Sequence, residues 1–383
     1  MGGGDSCFKT TATQLLALDD EEMIGDEKKV TSVDPVVHVR NFSEADTQNL
    51  VKFLTEYSQW WSEFSESAQA ESYFRWKYHR NPFGNSYLGV ACDEAEHILG
   101  FEGLARWKFL LNENEISCVR GTDLLVHPDH RGRGVASALV SYLNGEAQRT
   151  GTQLRFSPLN TSIESRMLKK IGLQQVRNCC VGHVRVRNYV PVLRALLKSK
   201  LPKTTPEHPK DRYFEKVPLM PVQSLISHDG FADLLKRDRQ RYSRHRLTTR
   251  RTIEYVNWRY AEHPTITYHA AAVEENNSLT AAAIFLPVYD RGMKMIELHE
   301  LFIDREESVL TLLQDLLRNT DADCVTGAWS PGSARHLILR RLGFRPTFGR
   351  VHLMVKILNP GMTETVFRPE GWDISANEVS NWD

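Results

Sequence analysis

The residues best suited to chemistry lie in one short stretch, Asp123-Leu124-Leu125-Val126-His127-Pro128-Asp129-His130-Arg131-Gly132-Arg133-Gly134-Val135-Ala136-Ser137. Its pattern reads as an apolar strand, a glycine turn and the first turn of a helix. Glycine takes φ > 0 at no cost and lets backbone approach a ligand closely. A run of free N–H groups at a helix N-terminus binds a diphosphate, helped by the helix dipole. Arg131 and Arg133 add charge-assisted hydrogen bonds. The turn is neither a Walker loop, which needs Gly-Lys-Ser/Thr, nor the GxGxxG of a dinucleotide fold. The plainer reading is an ordinary surface turn with two arginines. Asp123 on the strand, with His127 and Glu102 as weaker alternatives, supplies a general base; the plainer readings are a solvated strand-end Asp and a turn His.

The pattern Arg131-x-x-Gly134-x-Ala136, after a strand ending Val126-His127-Pro128, resembles the acyl-CoA pyrophosphate motif of the GCN5-related N-acetyltransferase (GNAT) superfamily. The resemblance covers about 150 residues. It implies an α/β (α+β) fold of mixed, splayed, twisted sheets flanked by helices, with pantetheine lying in the splay. The backbone of Leu124, Leu125 and Val126 would face the thioester, with Leu125 or Val126 N–H as oxyanion donor. Amides around Arg131, Gly132, Arg133, Gly134, Val135, Ala136 and Ser137 would hold the pyrophosphate. Asn160 falls at a position often polar toward the pantetheine arm. The superfamily's usual acid is a Tyr four residues before the glycine matched by Gly172; here Leu168 stands there, which leaves the acid unassigned. Tyr78, Tyr87 and Tyr142 are substitutes that the sequence does not separate. Acetyl-CoA or another acyl-CoA is the implied co-substrate, with no metal.

Elements must place these groups, and the chain gives them in matched sets. Trp76-Lys77-Tyr78-His79-Arg80-Asn81-Pro82 returns as Trp258-Arg259-Tyr260-Ala261-Glu262-His263-Pro264, and Leu168-Lys169-Lys170-Ile171-Gly172 as Leu339-Arg340-Arg341-Leu342-Gly343. An apolar strand follows each first motif. Two anchors in the same order favour an internal duplication. Pro202, Pro206 and Pro209 among charged residues read as a linker. The expected organisation is a tail over 1–33, a catalytic GNAT domain over 34–204, and a degenerate GNAT-like domain over 205–383. In the first unit, strands are expected at 36–40, 86–91, 98–111, 118–126 and 153–157, and helices at 43–57, 71–79, 136–149 and 162–171. A closing pair of strands is expected within 174–187.

The second unit departs from the motif where it matters. Aligning Glu300-Leu301-Phe302-Ile303-Asp304 with Asp123–His127 puts Arg305-Glu306-Glu307-Ser308-Val309 at the turn, without glycine. Two carboxylates beside a diphosphate repel it by about 4 kcal/mol per pair at ~4 Å and an effective dielectric of 20. One active site per chain is expected. Trp60, Trp61, Phe64, Tyr73, Phe74 and Trp76 read as core, or as the wall of an acceptor pocket. Arg237, Arg241 and Arg244 share a helical face, read as a solvated helix or as an anion site.

Composition sets the outer limits. The 383 residues carry 48 basic and 48 acidic side chains, with 41% hydrophobic and 25% charged residues. Such a balance lacks the net basic footprint of a non-specific nucleic-acid binder. No apolar run reaches the ~18 residues of a membrane span. The six cysteines have no CxxC or metal-ligand spacing and read as reduced thiols of a cytoplasmic protein. The expectation is transfer of an acetyl or larger acyl group to a primary amine, with a nucleotide-linked amino sugar of polysaccharide synthesis as lead acceptor. The alternatives are another small amine, or a non-catalytic module that senses acyl-CoA. A small-molecule amine is the expected partner, with no membrane, no nucleic acid, and a homo-oligomer compatible with the sequence.

Overall fold

The computed structural model describes residues 37–198 and 220–379, apart from 60, 65, 160–161, 243–244, 291 and 363. Asn160, Arg244, the expected tail and most of the expected linker lie outside the described residues. In chain order the first half comprises β1 (His38–Asn41), α1 (Thr47–Tyr57), α2 (Ser67–Tyr78), β2 (Tyr87–Cys92), β3 (Ile98–Leu111), β4 (Asn114–Val126), α3 (Val135–Arg149), β5 (Leu154–Pro158), α4 (Ser162–Lys170), β6 (Gln174–Val186) and α5 (Tyr189–Lys198). The second comprises β7 (Met220–Pro221), α6 (Val222–Ile226), α7 (Phe231–Tyr242), β8 (Leu247–Thr249), α8 (Ile253–Val256), β9 (His269–Glu275), β10 (Ser278–Asp290), β11 (Met293–Ile303), α9 (Glu306–Asn319), β12 (Cys324–Trp329), α10 (Ala334–Arg341), β13 (Arg345–Ile357), β14 (Trp372–Asp373) and α11 (Ala376–Val379).

The strands form one mixed sheet in the order β1-β2-β3-β4-β5-β13-β6-β12-β11-β10-β9-β7. The order is palindromic about the antiparallel β13–β6 pair. On each side the central strand runs parallel to its inner neighbour, β4 with β5 and β11 with β12, and antiparallel to its outer one. The boundary expected near residue 204 is bridged by pairing: β6 lies against β12, and β13 against β5. A closing pair of strands was the expectation for 174–187. The chain instead forms a single strand, β6, because each of its edges has a long partner from the second half; Asn178 bends it at φ 58°.

One face carries a core common to both halves. Trp61, Phe74, Trp76, Trp107, Tyr255, Trp258 and Trp372 all pack there. Trp76 Nε1 donates to the Trp258 carbonyl at 2.8 Å, and Trp258 Nε1 donates to the Trp76 carbonyl at 2.9 Å. Their rings stack with centroids 5.3 Å apart. Reciprocal contact of two matched residues is the signature of a local two-fold relation. The opposite face is covered separately, by α3 and α4 in the first half and by α9 and α10 in the second. In α3 the buried residues Val135, Leu139, Val140, Leu143 and Ala147 recur at helical spacing.

Candidate acyl-CoA site

β4 pairs with β5 only at Cys118–Leu154, Val119–Arg155 and Arg120–Phe156. β5 pairs along its whole length with β13 on its other side, while beyond Arg120 β4 continues to Val126 on β3 alone. The two strands therefore open into a V whose apex lies at Arg120 and Phe156. The register between β3 and β4 breaks at the same place, between Glu102 and Leu104, so Thr122 and Asp123 stand opposite Gly103 alone. Such a bulge re-aims side chains.

The pairing also decides which backbone groups face the opening. His127 N–H donates to the Leu99 carbonyl at 2.8 Å. Antiparallel pairs alternate between bonded and non-bonded, so Leu125 is bonded to Phe101, and the N–H and C=O groups of Leu124 and Val126 point away from β3 into the V. The Val126 carbonyl accepts from Arg131 Nε at 3.1 Å. Of the two amides expected as oxyanion donors, Val126 faces the opening and Leu125 faces β3.

Just beyond β4, Gly132 and Gly134 adopt φ of +78° and +86°, the left-handed region in which a side chain is strained. A Cβ at either would meet nothing within 4 Å, so the conformation and not crowding requires glycine. Gly134 is the N-cap of α3. The amides of Val135, Ala136 and Ser137 lie in the first helical turn, where N–H groups have no partner within the helix. Val135 is buried against Ala91, Leu139 and Val126, which fixes the helix start at the mouth of the V. Arg133 is exposed.

Asp123 turns to the other face of the sheet. Its Oδ2 accepts from Tyr78 Oη at 2.5 Å and lies 3.0 Å from Lys77 Nζ. Tyr78 Oη also lies 2.9 Å from Thr122 Oγ1. Lys77 is buried and sits among the rings of Trp61, Tyr73 and Tyr78. A buried ammonium needs a paired anion, and Asp123 provides it. Burial, with the neighbouring Asp123 charge, holds the Tyr78 phenol well above its ordinary pKa, so it stays a proton donor. This Lys77–Asp123–Tyr78 group was not assembled from the sequence, although both partners of Asp123 lie in the repeated Trp-basic-Tyr motif that could have pointed to it.

The other base candidates are placed apart from it. His127 Nε2 lies 3.1 Å from Tyr57 Oη, and its Nδ1 accepts from Asp129 N–H at 3.3 Å, so it ties the turn to α1. Glu102 lies on the α3 face, buried and 2.5 Å from Arg155 Nη2. Burial pushes its carboxyl upward against the pull of Arg155. Leu168 is buried and lines the cleft between β4 and β5. Trp61, Tyr73, Phe74 and Trp76 are core.

The second V is closed. β11 pairs with β12 only from Met295–Cys324 to Leu298–Gly327, and His299 bulges out of the β10 ladder just beyond. Glu300 then accepts from Tyr260 Oη at 3.0 Å and from Arg251 Nε at 2.8 Å. The chain's own residues 374–379 fill the opening. Asn377 Nδ2 donates to the Leu298 carbonyl at 3.2 Å, Ser375 bridges to Trp329, and Glu378 Oε1 lies 2.8 Å from Arg251 Nη2. At the turn, Ser308 Oγ is buried and donates to Glu275 at 2.8 Å, while Glu306 pairs with Arg341. Of the arginines on α7, Arg237 donates to Asp304 at 2.9 Å and Arg241 to the Asp304 carbonyl.

Residues 84–172 match the family model "Acetyltransferase (GNAT) domain". A GCN5-related N-acetyltransferase from Anabaena variabilis superposes with a TM-score of 0.60 at 15% identity, over 85% of this chain and 73% of that one. A probable N-acyltransferase of unknown function from Enterococcus faecalis gives 0.56 at 8% identity, over 85% and 73%. Saccharomyces cerevisiae N-myristoyltransferase, solved with bound myristoyl-CoA, gives 0.50 at 12% identity, over 86% and 80%. No curated protein sequence matches. The family model thus marks residues 84–172 as a GNAT acetyltransferase domain, and the solved neighbours share the fold of the wider chain. The matched family is one of acetyltransferases.

Proposed function

We propose that the chain transfers an acetyl or larger acyl group from CoA to a primary amine, using one acyl-CoA site in the V between β4 and β5. The observation that carries this is the one-sided opening of β4 over 121–126, which ends in a left-handed glycine turn at a helix N-terminus. The pyrophosphate is assigned to amides 131–137 and to Arg131 and Arg133. Pantetheine is assigned to the outward-facing groups of Leu124 and Val126.

The amine nitrogen attacks the thioester carbonyl carbon, the C–N bond forms, and the C–S bond breaks. The Val126 N–H is the assigned oxyanion donor. Tyr78 is the assigned acid for the departing thiolate, and Asp123 holds Tyr78 and accepts from the incoming amine. Tyr78 gives its proton to the thiolate and recovers one from the amine through Asp123, and the products are an amide and free CoA.

We further infer that the two halves arose by duplication, each giving its last strand to the other, and that only the first kept the donor site. A nucleotide-linked amino sugar remains one acceptor to test, but Arg237 and Arg241 bind the Asp304 turn and lend it no support. Among the described residues no helix is long and apolar enough to cross a membrane.

Calorimetry with CoA and thiol release with a panel of amines test the reading. Gly134→Glu should abolish CoA binding and Ser308→Ala should leave it intact; CoA binding at the Ser308 turn would overturn the single-site assignment. The sensor reading is favoured by Leu168 at the usual tyrosine position. CoA binding without thiol release on any amine would establish it.

A further inference from the structure

We propose that the apex of this V restricts the donor to short acyl groups, with Glu102, Arg155 and Ser157 as the residues that set the limit; this rests on the acyl-CoA site assigned above. A pantetheine running back from the glycine turn along the open edge of β4 delivers its acyl end to the apex, where Val119 and Arg155 are still paired. The free space there is only about 10 Å³, and Glu102, Gly121, Arg155, Ser157 and Leu168 all line it.

Its floor is charged. Glu102 and Arg155 are each 1% exposed, and Ser157 is 4% exposed. Arg155 spends Nη2 on Glu102 Oε1 at 2.5 Å and Nη1 on Asn144 Oδ1 at 2.9 Å. Glu102 Oε2, Arg155 Nε and Ser157 Oγ remain buried without a hydrogen-bond partner among the described residues. Methylene groups pushed onto these atoms would strip their remaining polar surroundings and give no hydrogen bond back, which is strongly unfavourable for buried polar and charged groups. A short acyl group stops before the pair.

Through the sheet, the way past the floor is filled among the described residues. Phe156, the next residue on β5, points to the opposite face and packs against Phe109 at 5.0 Å, Trp107 at 6.1 Å and Trp372 at 6.2 Å. A long aliphatic donor, such as the myristoyl-CoA bound to the yeast structural neighbour, therefore meets a filled core in that direction.

Calorimetry with CoA, acetyl-CoA, butyryl-CoA and decanoyl-CoA tests this without an acceptor. Acetyl- and butyryl-CoA should bind within a few-fold of CoA, and decanoyl-CoA at least about tenfold more weakly. Replacing both charged partners together, Glu102→Leu with Arg155→Met, should raise the ratio of decanoyl- to acetyl-CoA affinity by about tenfold. Should that variant fail to fold, the wild-type series still decides. Decanoyl-CoA binding as tightly as acetyl-CoA would overturn the length limit and leave the site standing. Failure of every CoA species, CoA included, would overturn the site itself.

Discussion

Past Arg120, β4 leaves β5 and faces an opening that ends in two left-handed glycines. Past Leu298, β11 leaves β12 and faces residues 374–379 of its own chain. Both strands bulge at the point of departure, and both carry a carboxylate that a Trp-basic-Tyr tyrosine holds by its hydroxyl, Asp123 with Tyr78 and Glu300 with Tyr260. The difference lies in what compensates the charge. Asp123 keeps a 13% exposed side chain beside Lys77. Glu300 is fully buried, and Arg251 bridges it to Glu378 of the C-terminal segment. The same frame serves as an accessible cleft in one half and as a sealed ionic plug in the other.

The contrast is sharpest if the plug is broken. Arg251→Met leaves Glu300 and Glu378 buried without their cation and should cost about 3–5 kcal/mol, read by urea unfolding. Lys77→Met should cost less, because Asp123 reaches water; equal losses would mean that the two carboxylates are equally sealed. Next in size is an effect on rate. Tyr78→Phe should lower kcat by about a hundredfold in a thiol-release assay, with CoA affinity unchanged. Tyr260→Phe should leave kcat alone. Loss of kcat in both variants would break the assignment of chemistry to the first half only.

The two-fold contact gives a smaller effect. Trp76→Phe and Trp258→Phe each remove one indole donor from a buried carbonyl, for a loss of about 1–3 kcal/mol each. The two losses should match in size and should not add in the double variant, because the rings stack on one another. Unequal losses would show that the local symmetry does not extend to the energetics.

The smallest effect is a slope with pH. Burial lowers His299 to a pKa of about 3, so between about 6.5 and 3 the unfolded chain binds a proton that the folded chain refuses. Stability from this group is therefore lost as pH falls through that window. Glu378 opposes it: burial raises its pKa to about 7, and its contribution is lost as pH rises from about 4.5 to 7. Comparing thermal unfolding of wild type and His299→Phe at pH 7 and pH 5 isolates the first group. The wild type should lose more on acidification, and equal losses would show that His299 is protonated in the folded state.

Much of the scaffold was legible in the sequence. The strand at 98–111 agrees with β3 residue for residue, and the helices expected at 136–149 and 162–171 fall within a residue of α3 and α4. The strand expected from 118 begins at Asn114, because a charged hairpin hides its periodicity. The helix expected at 43–57 begins at Thr47 as α1, just after the Asp46 carboxylate accepts from Ser43 N–H. Asp304, in contrast, uses two of the arginines that the sequence left open as an anion site.

The sequence by itself determined the glycine turn, the helix that follows it, and the matched Trp-basic-Tyr motifs, because each is written in residues within one or two turns of chain. Only the tertiary structure decided that Lys77 and Tyr78 meet Asp123, that β6 and β13 exchange sides, and that the C-terminal segment seals the second V. Those contacts join residues up to 203 positions apart, as Leu154 with Ile357. They depend on buried charges finding partners and on strand edges finding mates, and neither demand leaves a local pattern to read.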